Sequence, residues 1–117
     1  MPFLFVTAAC FANDRGMTVE ELAASTENDP EPPESLSPDC QALWHAKAGN
    51  WDASHEIAQD ITTSLGSWIH AHLHLIEGDT GNAGYWYARA GKPASNKARI
   101  PEEWREIAAV ALSAPEH

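Results

Sequence analysis

Apolar and small residues recur every three or four positions through most of the chain after residue 37, a spacing that puts them on one face of an α-helix. The first such helix is predicted to start at Ser37 and Pro38, because a hydroxyl at the cap and a proline at the first helical position favour a helix start. It runs to about Ala48. Its core-facing residues are predicted to be Leu36, Cys40, Leu43 and Trp44.

The same spacing predicts four more helices. They run from about Asp52 to Thr62, from about Gly66 to Glu77, from a cap at Asn82 to Gly91, and onward from Pro101, where Trp104, Ile107, Ala108, Ala111 and Leu112 face the core. On the Gly66 helix the core-facing residues are predicted to be Leu65, Ile69, His72, Leu73 and Ile76. On its opposite face His70, His74 and Glu77 form a polar stripe, which we expect to be exposed.

The first 37 residues have a different pattern. Thr18 and Glu21 form a capping-box sequence, which predicts a short helix ending at about Ser25. Acidic residues and prolines then dominate, which favours an extended linker that buries little apolar area. We therefore divide the chain into an N-terminal arm, short helix and acidic proline-rich linker at residues 1–37 and one helical domain at residues 38–117.

An apolar run, FLFVTAACFA, occupies residues 3–12. It has the composition of a signal-peptide core, but no lysine or arginine precedes it and no clean cleavage signature follows it. It is also too short to span a bilayer. We expect an irregular or strand-like arm that packs on the helices. Export or lipid anchoring at Cys10, and a chain that starts at Met17, are the alternatives.

Two segments with a similar order of residues begin at Ala48 and at Glu77. Gly49 aligns with Gly78 and Asn50 with Asp79, so in each copy a helix ends at a glycine and a polar turn leads into the next helix. Glycine can adopt the left-handed conformation that ends a helix. The pattern therefore predicts two similar helix hairpins in tandem.

The residues from Gly49 to Ser54 resemble the turn of a tetratricopeptide repeat, in which a glycine, an aromatic and a small residue recur. Thr80 replaces the aromatic in the second copy, and the offset is shorter than the roughly 34 residues of that family, so the repeat is degenerate. The resemblance implies an all-α fold of two tandem antiparallel hairpins with a C-terminal capping helix. The chain is also similar to a group of small uncharacterised helical proteins with Trp-His, Glu-Gly-Asp and Tyr-Trp-Tyr segments, which implies a fold and no function.

The composition of the chain limits the classes of partner and the cellular compartment that we expect. The 117 residues carry a net charge of −10, which disfavours nucleic acid and anionic membranes as partners because both attract clustered positive charge. Cys10 and Cys40 have no paired spacing, so we expect two thiols in a reducing, cytoplasmic compartment, with a disulfide as the alternative. Cys40 is predicted to be a small buried hydrophobic residue.

The histidines supply the candidate chemistry. His70 and His74 are four residues apart on one predicted helix, the spacing at which two imidazoles can bind one metal ion such as zinc. A third ligand would come from the preceding helix, where His55 is the leading candidate and Glu56 and Gln59 are others. Glu77, one turn beyond His74, is a further option. Exposed or locally hydrogen-bonded histidines, or a groove for an organic ligand, are the alternatives.

The leading hypothesis for function is a non-enzymatic protein-interaction or self-association module. Its partner or ligand surface is predicted to include His45, Gln59, Tyr85 and Arg89. A small metal- or ligand-binding protein, conceivably a hydrolase, that uses His55, His70, His74 and Glu77 is the rival hypothesis. No nucleophile elbow, phosphate loop or Cys-His arrangement occurs in the sequence. The sequence therefore favours a protein that is not an enzyme, without deciding the matter. His72 is expected to be a neutral core histidine with one buried hydrogen bond.

Overall fold

The computed structural model describes residues 17–113, and within that range it contains α-helices, one short 3₁₀ turn and no β-strand. The helices are α1 (Val19–Asn28), α2 (Pro38–Ala48), α3 (Trp51–Ala58), α4 (Ser64–Glu77), α5 (Thr80–Ala90) and α6 (Ile100–Ser113), with the 3₁₀ turn at Lys97–Arg99 before α6. The predicted all-α fold is confirmed. The apolar run at residues 3–12, with Cys10, lies outside the described residues.

Helix α4 lies at the centre of the fold, where it packs against α2, α3, α5 and α6. Its residues from Gly66 to Leu75 are all buried. Around it, Leu43 of α2, Tyr87 of α5 and Ile107 of α6 are almost completely removed from solvent. Helix α1 joins the same core through Leu22, and α6 packs on α1, α2 and α4. The residues of α4 from Gly66 to Leu75 are therefore surrounded by other helices, which decides the environment of its three histidines.

The helix ends follow from local side-chain chemistry. The Thr18 hydroxyl accepts from the backbone N–H of Glu21, whose carboxylate accepts in return from the N–H of Thr18, so the predicted capping box is confirmed. The Ser37 hydroxyl caps α2 by accepting from the backbone N–H of Cys40. Gly49 and Gly78 end α2 and α4 with φ of 92° and 90°, a left-handed conformation that only glycine adopts without strain.

Several predicted boundaries were wrong by a few residues. Helix α1 continues to Asn28 instead of ending at about Ser25. Helix α4 starts at Ser64, capped by the Thr63 hydroxyl, and not at about Gly66 as predicted. Helix α5 starts at Thr80 because the Asp79 carboxylate accepts from the N–H of Asn82, so Asp79 and not Asn82 is the cap.

The predicted exposure of His70 and His74 was wrong. They are only 6% and 7% exposed, because α3 and α5 cover the face of α4 that the helical wheel left to solvent. The prediction that His72 faces the core is confirmed, as is the burial of Cys40. Among residues 17–113 no helix has the length and apolar character needed to cross a membrane.

Candidate metal centre

Three histidines from two neighbouring helices meet at one point. His55 lies on α3, and His70 and His74 lie one turn apart on α4. One ring nitrogen from each residue lies within 4.8 Å of those of the other two. Any three atoms that close lie within about 2.8 Å of a common point, against about 2 Å for a zinc–nitrogen bond. Inward shifts of less than about 1 Å would therefore complete three bonds to one ion.

The position of α3 against α4 is set by contacts of α3 that lie beside the histidines. The Trp51 indole N–H donates to the backbone carbonyl of Leu73 at 2.7 Å, which joins the start of α3 to the middle of α4. On the other side of α3, the buried Ser54 hydroxyl donates to the carbonyl of Ala42 at 2.6 Å. The Trp51 bond is partly buried and the Ser54 bond is fully buried. They hold His55 over α4 without any metal.

Glu77 orients one of the three imidazoles. Its Oε2 atom lies 2.7 Å from Nδ1 of His74. Since a carboxylate only accepts, Nδ1 carries the proton and Nε2 keeps its lone pair for a metal. Glu77 was predicted as a ligand, and it does form a second group of possible ligand atoms with His74 and Asp79. In the three-histidine arrangement Glu77 would be an outer-shell residue, hydrogen-bonded to the ligand His74 and not to the metal itself.

Two tryptophan rings flank the histidines. The indole of Trp86 stacks on the imidazole of His70, with centroids 3.9 Å apart and planes 12° apart. The indole of Trp51 stacks on His55 at 4.8 Å and meets His74 edge-on at 5.9 Å. Neither role was predicted from the sequence. Trp51 lies four residues before His55, a helical spacing that could have identified it.

The cluster favours uncharged imidazoles. Burial, followed by the charges that His55 and His74 would carry, lowers the pKa of His70 to about 4. Burial is also the largest cause that lowers the pKa of His55, with the positive charge of His74 next. A metal ion binds the deprotonated imidazole, so at neutral pH it would not have to displace a proton from His70.

The other predicted site residues lie apart from this cluster. His45 has its Nδ1 atom 3.1 Å from the amide nitrogen of Asn50. Gln59 is exposed at the end of α3. Tyr85 is 56% exposed on α5, and the Arg89 guanidinium lies 5.9 Å from its ring centre. These four residues are part of the surface, and they do not converge on the three histidines.

A second polar centre lies on the opposite side of α4. Glu103 of α6 is 2% exposed, and its carboxylate accepts hydrogen bonds from the Trp68 indole at 3.2 Å and the Tyr87 hydroxyl at 2.8 Å. Its Oε1 atom also lies 2.6 Å from Nδ1 of His72. The predicted buried hydrogen bond of His72 therefore exists. Glu103 was not predicted as a core residue, although its spacing of four from Ile107 places it on the core face of α6.

Glu103 is ionised in this setting. Burial alone would raise the pKa of its carboxyl group, but the hydrogen bonds from His72, Tyr87 and Trp68 together lower that pKa below its ordinary value. Burial and then the Glu103 hydrogen bond raise the pKa of the Tyr87 hydroxyl, which therefore stays a donor. The centre is thus a buried carboxylate surrounded by three donors.

Comparison of the chain with protein-family models, with curated proteins and with solved structures found no match. The class of the protein is therefore given by its own structure, which is that of a helical protein with a three-histidine cluster in which His70 and His74 are buried and His55 is partly exposed. The tetratricopeptide-like interpretation has no family match behind it and stays a prediction.

Proposed function

We propose that this protein binds one divalent transition-metal ion through His55, His70 and His74. The observation that carries the proposal is the convergence of three imidazole nitrogens within 4.8 Å of one another in a largely buried site. Two further features support it. Glu77 orients His74 as outer-shell carboxylates orient metal-binding histidines, and the cluster disfavours protonation of His70.

The ligand chemistry favours zinc, and next to it copper or nickel. Imidazole nitrogen suits these ions, whereas Ca²⁺ and Mg²⁺ prefer several oxygen ligands. Three protein ligands leave a fourth tetrahedral position for water or another small molecule, which is the pattern of catalytic rather than structural zinc sites. This supports a metal-binding function without selecting a particular reaction.

Zinc titration of the untagged protein, by calorimetry and by elemental analysis after gel filtration, tests the proposal. We expect one zinc per chain. His74→Ala should weaken binding by more than the roughly 10–100-fold typical of losing an outer-shell partner. His45→Ala is the matched control because His45 lies outside the cluster. The zinc affinity of this variant should equal that of the parent protein. Zinc retention by His74→Ala, or equal losses in both variants, would contradict the proposal.

A second candidate function is self-association or binding of a protein partner through α5. The supporting observation is the exposed Tyr85 ring with Arg89 beside it, since Tyr and Arg are enriched at protein interfaces. The tetratricopeptide-like interpretation of the two hairpins belongs with this candidate. Light scattering of the parent protein and of Tyr85→Ala at several concentrations tests it. A concentration-dependent dimer that the substitution removes supports self-association, and a monomer throughout argues against it.

A further inference from the structure

The side of α4 that faces α6 carries a second arrangement, independent of the metal centre. A cavity of about 360 Å³ lies between α2, α4 and α6. Ile76, Ile100 and Trp104 give it apolar walls, and His72, Lys47 and Arg105 also line it. Its volume is within the range of small-molecule sites, about 300–1,000 Å³.

His72 has one ring nitrogen in use and one without a partner. Nδ1 bonds to Glu103, a residue that does not line the cavity, whereas His72 itself does. Nε2 is buried and receives no hydrogen bond from any of the described residues. Buried polar atoms in native proteins nearly always have a partner, so an unpartnered nitrogen beside a cavity indicates a ligand group or water that bonds there.

The proton on Nδ1 of His72 follows from Glu103. The carboxylate already accepts hydrogen bonds from Trp68 and Tyr87, and it accepts a third from the Nδ1–H group of His72. Nε2 is then the ring nitrogen without a partner. A ligand hydroxyl can both donate and accept, so it would satisfy Nε2.

The charged side chains around the cavity indicate which chemical group the ligand carries at the end away from His72. Within residues 17–113 no acidic side chain lines the cavity, although acidic residues outnumber basic ones by ten in the whole chain. Lys47 and Arg105 lie on exposed positions at its edge, with the Lys47 ammonium 5.7 Å from the ring centre of Trp104. Arg105 also pairs with Glu20 at 2.5 Å, so Lys47 is the more available cation.

We infer that this cavity binds a small hydroxy acid. Its hydroxyl forms a hydrogen bond with Nε2 of His72, its apolar body lies against Trp104 and the isoleucines, and its carboxylate faces Lys47 and Arg105. This site does not depend on the proposed metal centre, because it uses the opposite side of α4 and none of the three clustered histidines.

NMR titration of the full chain with 4-hydroxyphenylacetate tests the inference, followed by the Trp104 indole N–H and the His72 ring nitrogens. We expect saturable shifts at both residues. Phenylacetate, which lacks the hydroxyl, should bind about tenfold more weakly, the effect of one lost hydrogen bond to a buried group. The neutral amide, 4-hydroxyphenylacetamide, should also bind more weakly because it lacks the charge.

Lys47→Gln supplies the protein side of the test. It should weaken binding of 4-hydroxyphenylacetate severalfold, whereas Lys97→Gln, the same charge change at an exposed position outside the cavity, should leave it unchanged. Absence of saturable shifts would overturn the inference. So would equal affinity for all three probes, or binding to Lys47→Gln as tight as to the parent protein.

Discussion

Gly66 lies directly against the backbone of Ile61. A Cβ atom at position 66 would come well inside contact distance of the Ile61 carbonyl oxygen and of its side chain. This contact joins the segment after α3 to the first turn of α4, one turn before His70. The absence of a side chain at this point therefore sets how the two helices of the histidine cluster approach each other.

Gly66→Ala should lower the free energy of unfolding by about 1–3 kcal/mol, because the added methyl group has no space. It should also weaken zinc binding, since α4 must move relative to His55. Gly84→Ala is the matched control: a Cβ there meets no atom within 4 Å, and the position is inside α5. That change should stabilise the protein by about 0.5–1 kcal/mol. Urea unfolding measures the free energy of unfolding of both variants. Similar free energies for Gly66→Ala and Gly84→Ala would contradict the close contact between Gly66 and Ile61.

Glu77→Gln should reduce zinc affinity about 10–100-fold while leaving one site per chain. The amide still reaches Nδ1 of His74, but it no longer adds the negative charge that makes the imidazole a better ligand. Glu34→Gln removes one charge from an exposed loop residue and should have no such effect. Calorimetry compares the two. An unchanged affinity in Glu77→Gln would show that this carboxylate does not support the metal site.

The metal-free protein should lose stability as the pH falls from 6.5 towards 4. His70 in the unfolded chain takes up a proton near its ordinary pKa of 6.5, whereas in the folded protein its pKa is about 4. The unfolded state therefore binds more protons in this window, and stability is highest above it. A single such group contributes up to about 1.4 kcal/mol per pH unit.

His70→Gln should flatten this pH dependence, because glutamine does not titrate. Urea unfolding at several pH values between 6.5 and 4, with a chelator present, measures the slope for both proteins. Identical slopes would mean that His70 is not held in its neutral form by the fold.

Glu103→Gln should destabilise the protein by about 2–4 kcal/mol. The amide loses the charge-assisted bonds from Trp68, Tyr87 and His72, and its NH₂ group faces donors. Glu106→Gln, on an exposed part of the same helix, breaks only the surface ion pair with Arg99 and should cost at most about 1 kcal/mol. Thermal unfolding distinguishes them, and equal melting temperatures would contradict a structural role for the buried carboxylate.

The helices and their caps could largely be predicted from the sequence because they depend on local chemistry. Thr18 with Glu21, Ser37 with Pro38, and the glycines at 49 and 78 act within a few residues of themselves. The start of α5 was placed wrongly because Asp79 and Asn82 are both good caps, and the sequence alone did not distinguish them.

The environment of the site could be predicted only in part. The spacing of His70 and His74 identified the pair, and His55 was named as the leading third member. Their burial was not predicted because a helical wheel shows only which face of a single helix is more apolar. It does not show how many other helices pack around that helix. Helix α4 is covered on all sides between Gly66 and Leu75, and two of the covering residues, Trp51 and Trp86, come from helices whose packing the sequence does not specify.

The central claim is that His55, His70 and His74 together hold one metal ion, and X-ray absorption spectroscopy of the zinc-loaded, untagged protein tests it most directly. The structure predicts a first shell of nitrogen or oxygen atoms at about 2.0–2.1 Å, with outer-shell scattering from three imidazole rings. A shell made of oxygen atoms alone, or scattering from one imidazole ring or none, would contradict the claim.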